Sequence, residues 1–209
     1  MPELKRALAD IHAIRGQIAV STQFRGYGPA SVAASGVLAL AVAGFQTRWF
    51  DLRWHGVTEP DMRSYLAVWV GVAAVAVLLT ALETLQRARR VHSDLANEMI
   101  QRALEQFVPA LMSGALLTVV MLRFSPHNLW MLPGLWQIIF SLGVFASCRF
   151  LPRQMFVVGV WYLSAGLACI ALSGLKGTCS PWTMGIPFGV GQLLVAGILQ
   201  FGFRGEKFA

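Results

Sequence analysis

The chain has 209 residues, 56% of them hydrophobic and 13% charged, and its mean hydropathy is +0.60. That is more apolar surface than one water-soluble core of this length can hide, so an ordinary soluble domain is excluded. The net charge of +7 does not point to nucleic acid, because the basic residues cluster between long uncharged runs, as they do in membrane loops.

Residues 1–25 predict an amphipathic cytoplasmic helix followed by a turn. Leu4, Leu8, Ile11 and Ile18 share one helical face, with Lys5, Arg6, Asp10 and Arg15 nearby. The mixed polarity of this segment does not fit a signal peptide. Residues 26–203 then contain six uncharged runs, at about 28–47, 64–83, 106–123, 129–148, 154–175 and 182–203, with a short tail at 204–209. Each is close to the ~20 residues needed to cross a hydrocarbon core of about 30 Å. The third is the shortest, and Pro109 within it allows a kinked or tilted span.

The runs lack alternating polarity and are rich in Leu, Ala and Gly, so only helices satisfy their backbone groups in lipid. The expected fold is an all-α polytopic bundle of six transmembrane helices. Between the second and third runs, residues 83–105 contain neither Gly nor Pro, which predicts helix continuing beyond the bilayer, with Ser93 or Asp94 as a cap for the return helix.

With six spans, the side shared by the two termini carries twelve of the seventeen Lys and Arg residues. The positive-inside rule therefore places both termini in the cytoplasm, with the cell membrane as the expected location. Trp49, Trp54, Trp130, Trp136 and Trp182 fall at or near the expected outer helix ends, as interfacial tryptophans do.

The most specific local pattern relates the fourth and sixth runs. Trp130, Pro133 and Gln137 follow one another in the first, and Trp182, Pro187 and Gln192 in the second. Each Pro frees a backbone carbonyl near a helix start, and each Gln then lies in the outer part of the bilayer. With Tyr65 opening the second span from the same side, these residues form a candidate pocket for a small, largely uncharged solute. The alternative is that the amides hydrogen-bond across helix interfaces as structural glue.

Small residues supply candidate packing faces, chiefly Ala30 and Ala34 in the first run and the Gly185/Gly189 pair in the last. They would hold the bundle together, or seat a partner subunit or a second copy. Arg87, Arg89 and Arg90, with Arg149 and Arg153, form basic clusters on the expected inner face, suited to anionic lipid or an acidic partner.

No metal set is expected, because His12 and His92 fall on one side and His55 and His127 on the other. No internal disulfide is expected among Cys148, Cys169 and Cys179. Nor does an ionisable residue lie near the middle of any run, which weighs against a proton-coupled pump. Zinc-protease, nucleophile-elbow and phosphate-loop motifs are absent, so no catalytic residue and no cofactor is indicated. The sequence thus favours a non-enzymatic membrane subunit or interaction protein. A small transporter, channel or substrate-capture component is the alternative, and a lipid-modifying enzyme ranks third.

Overall fold

Among the described residues six α-helices follow one another: α1 Pro29–Trp49, α2 Glu59–Arg90, α3 Asp94–Phe124, α4 Leu132–Ser147, α5 Met155–Lys176 and α6 Trp182–Gly202. A 3-10 turn, Pro126–Met131, leads into α4. This computed structural model describes residues 29–49, 59–90, 94–148, 154–176 and 178–202. The expected N-terminal amphipathic helix, Trp54, His12, His55, His92, Arg149 and Arg153 lie outside those residues.

All six helices contain windows long and apolar enough to cross a bilayer, running Pro29–Trp49, Asp61–Glu83, Phe107–Phe124, Pro126–Ser147, Met155–Leu175 and Trp182–Gln200. The protein is an all-α, polytopic membrane bundle. Helices α2 and α3 are 32 and 31 residues long, or about 45–50 Å at 1.5 Å per residue, so both extend well past a ~30 Å core. The absence of Gly and Pro between Glu83 and Glu105 lets them do so.

Two glycine seams organise the packing. Helices α1 and α6 lie against each other along Gly36, Ala39 and Ala43 on one side and Gly185 and Gly189 on the other. A methyl group built on Gly185 would run into Ala43, and one on Gly189 would come within 2.5 Å of Leu40. Helices α4 and α5 approach still more closely, since a Cβ on Gly134 or on Gly166 would lie 2.7 Å from the other's carbonyl oxygen. With no hydrophobic effect to drive helices together in lipid, such close contact supplies dispersion and Cα–H···O attraction instead.

Helix α3 packs on α4, and α5 also meets α6. Phe140, Tyr162 and Phe188 fill the junction of α4, α5 and α6, with ring centroids 4.6–5.7 Å apart. Helix α2 joins at one end only. Met62, Tyr65, Leu66 and Trp69 are buried, whereas from Val70 to Glu83 no residue is. Only a stripe of Val72, Ala76, Thr80 and Glu83 is half-buried there, so α2 leans away from the bundle. Among the described residues, α2 and α3 meet only through the cluster that holds Trp69 and Met121 and are not a closely packed pair.

Candidate functional site

One group of hydrogen-bonded polar side chains lies where the 3-10 turn, the 178–181 connection and the adjoining ends of α4, α5 and α6 meet. Their arrangement starts from a proline. Pro187 has no N–H, so the carbonyl four residues earlier, that of Thr183, loses its helical donor. Gln137 of α4, fully buried, replaces it: Nε2 donates to the Thr183 carbonyl at 2.8 Å. The same nitrogen lies 3.8 Å from Met184 Sδ. Pro133 is compensated differently. It frees the Leu129 carbonyl, which accepts the backbone N–H of Leu132 as the 3-10 turn passes into α4. The Trp/Pro/Gln likeness of the two segments is thus resolved unequally, with the first segment's glutamine mending the second segment's helix.

Other groups close around this bond. Thr183 Oγ1 donates to the Ser180 carbonyl at 2.6 Å, and the Tyr65 hydroxyl lies 3.5 Å from both Thr183 Oγ1 and the Ser180 carbonyl. Cys179 Sγ donates to the Trp130 carbonyl at 3.1 Å and lies 3.6 Å from Ser173 Oγ. Burial pushes the Cys179 thiol up to about 11, since a thiolate without water or a cation beside it is disfavoured. Cys148, at the end of α4, is also raised by burial. All three cysteines are free thiols.

Two further bonds tie neighbouring helices. Trp136 Nε1 donates to Thr118 Oγ1 at 2.8 Å, and Trp161 Nε1 donates to the Pro187 carbonyl at 3.0 Å. Some buried polar atoms have no hydrogen-bond partner: Gln137 Oε1, both amide atoms of Gln46, Trp69 Nε1 and the Tyr162 hydroxyl.

Of the residues singled out from the sequence, Tyr65, Gln137 and Trp130 therefore come together, Trp130 through its carbonyl. Gln192 and Trp182 do not join them. The Cβ of Gln192 lies against Gly36 of α1, about 13 Å along α6 from Thr183 at 1.5 Å per residue, and Trp182 is 40% exposed. The two glutamines thus sit at different depths, because Gln137 reaches back to the first turn of α6.

Gly185 and Gly189 are enclosed in the seam with α1, while Ala30 and Ala34 are exposed with Val37 and Ala41 on the opposite face of that helix. Arg87, Arg89 and Arg90 form the last turn of α2. His127 is exposed in the 3-10 turn. No group of three or more His, Cys, Asp or Glu that could hold a metal occurs among the described residues.

Thr183, Ser173, Cys169, Cys179 and Met184 were not singled out from the sequence. Thr183 had a readable signal, its position four residues before Pro187; the others are joined only by the helix crossing. Comparison with known proteins gives no match to any family model, curated protein or solved structure.

Proposed function

We propose that this chain is a non-enzymatic subunit of a membrane assembly, in which another polypeptide packs on the flank formed by α2 and α3. The observation that carries this reading is the splay of α2. Consecutive antiparallel helices ordinarily pack on each other, yet beyond Trp69 α2 keeps only a half-buried stripe and exposes Val70, Val75, Val77, Leu78, Leu79 and Leu82. Helix α3 exposes Val108, Leu111, Met112, Leu116, Val119 and Val120. Lipid alone satisfies apolar side chains; what supports a partner is that, among the described residues, α2 and α3 share only the cluster around Trp69 and Met121 and are not a closely packed pair. The free Ala30/Ala34 face of α1 offers a second close-packing surface. The helical extensions of α2 and α3, ending at the basic Arg87, Arg89 and Arg90, supply a docking surface on what the charge distribution makes the cytoplasmic side.

Extraction of the tagged chain with its native lipids, followed by native mass spectrometry, tests this. A second polypeptide in stoichiometric amount is expected, lost when Val77 and Leu116 are both replaced by Trp. Recovery of single chains alone would reject the reading.

A second reading, capture of a small uncharged solute, is supported by one feature: the carbonyl oxygen of Gln137 is buried without a donor. If Gln137→Leu leaves solute binding or flux unchanged in a screen that detects either, this reading is lost.

A further inference from the structure

We propose that Cys169 and Cys179, assisted by the thioether of Met184, form a binding site for a soft, thiophilic metal cation. The two thiols flank a single hydroxyl. Cys179 Sγ is 3.6 Å from Ser173 Oγ, and Ser173 follows Cys169 by one turn of α5, at a Cβ separation of about 5–6 Å. Cys169 also lies beside Thr183, and the next residue, Met184, turns its sulfur to the Gln137 amide.

The two thiols thus meet at Ser173, with the Met184 thioether on the Gln137 amide, and the three sulfur-bearing side chains are only 1–4% exposed. The oxygen of the same Gln137 amide is fully buried and has no donor, so one acceptor on this amide is open to a positive partner. Among the described residues no carboxylate or imidazole completes the set, and thiolate and thioether donors select soft cations over hard ones. A soft cation is satisfied by two thiolates, with the thioether as an optional third ligand.

On binding, each thiol gives its proton to solvent as its S–metal bond forms, so two protons are released per metal with no change in oxidation state. The charge left behind depends on the metal. A monovalent ion leaves a net −1, while a divalent ion leaves a neutral complex, the better match to surroundings that hold Tyr65, Trp130, Gln137 and Thr183. The inference does not depend on any partner subunit.

The test uses the full chain, purified reduced in lipid nanodiscs and titrated with Ag(I), a redox-inert stand-in for Cu(I), and separately with Hg(II), each against excess glutathione as competitor. One metal per chain is expected, with Hg(II) held more tightly relative to its glutathione complex than Ag(I). Cys169→Ser and Cys179→Ser should each weaken binding at least a hundredfold. Met184→Leu should weaken Ag(I) about tenfold, and Cys148→Ser should change nothing.

X-ray absorption at the metal edge of the wild-type protein gives a readout that needs no variant, and two or three sulfur neighbours are expected. A single sulfur neighbour, binding that survives Cys169→Ser and Cys179→Ser, or failure of the wild type to compete with glutathione would overturn the proposal. So would finding one titratable thiol in the unfolded, unreduced chain in place of the three that the sequence carries, since Cys169 and Cys179 would then be joined as a disulfide.

Discussion

The bundle has two halves that solve the membrane problem differently. Helices α1, α4, α5 and α6 bury a third or more of their apolar windows, and α2 and α3 far less. The first group packs through glycine seams, backbone almost on backbone. The second is apolar around most of its circumference and presents that surface outward, where a neighbouring helix of this chain would otherwise be. Hydropathy does not separate them, since α2 has the most apolar window of the six, at 2.3. What separates them is the placement of small residues. Gly134 and Gly166 come opposite each other, as do Ala43 and Gly185, whereas Gly71 of α2 faces open space and Gly114 of α3 reaches only the edge of Trp136, at 4.0 Å.

The sharpest way to break this contrast is to fill a seam. Gly166→Leu must displace the Gly134 carbonyl, which is backbone and cannot swing aside, so a loss of about 3 kcal/mol or more is expected, at the upper end of overpacking costs. Gly71→Leu should stay within about 0.5 kcal/mol. Unfolding of both variants in the same lipid measures the difference. If Gly71→Leu leaves stability alone but removes a co-purifying chain, the flank is an interface rather than a lipid face.

Next in size is the bond that repairs the proline. Gln137→Leu leaves the Thr183 carbonyl without a donor and should cost about 1–2 kcal/mol. Pro187→Ala restores the missing helical N–H, so on that background the same Gln137 substitution should cost markedly less. A double-mutant cycle reads this directly, and strict additivity would show that Gln137 acts through something other than the freed carbonyl.

Trp136→Phe removes the bond to Thr118 that ties α3 to α4, at an expected cost of about 0.5–1 kcal/mol. Because this bond is a side-chain tie and not part of a glycine seam, α3 should loosen while the α4–α5 contact stays intact, which cross-linking between engineered cysteines on each pair would report.

The smallest effect concerns pH. The Cys179 thiol titrates near 11 in the folded chain, above the ordinary value of about 8.5. Between those values the unfolded chain has lost this proton and the folded chain keeps it, so stability falls as pH rises through that interval and is unaffected below it. Cys179→Ser should flatten the alkaline limb of the stability profile. Alkylation of Cys179 in the folded protein should remain slow until the pH approaches 11.

Much of the architecture was legible because the bilayer imposes a length and a polarity on each span. The six runs, the helical extension past Glu83 and the structural importance of the prolines follow from residue order alone, as does the expectation that Gln137 would bond within the membrane. The partner of that amide was not legible. Sequence likeness paired Gln137 with Gln192, but the crossing of α4 and α6 brings Gln137 to the Thr183 carbonyl and sends Gln192 to Gly36 of α1. The convergence of Tyr65, Cys169, Ser173, Cys179 and Met184 on the same place is likewise a product of helix crossing, which no periodicity encodes.

The sequence by itself thus determined an all-α membrane bundle of six apolar helices, because each span must satisfy its own backbone in lipid. Only the tertiary structure decided which helices touch. In lipid that choice rests on where glycines let backbones approach and on which freed carbonyl a buried amide can reach, and both are properties of pairs of helices rather than of any one of them.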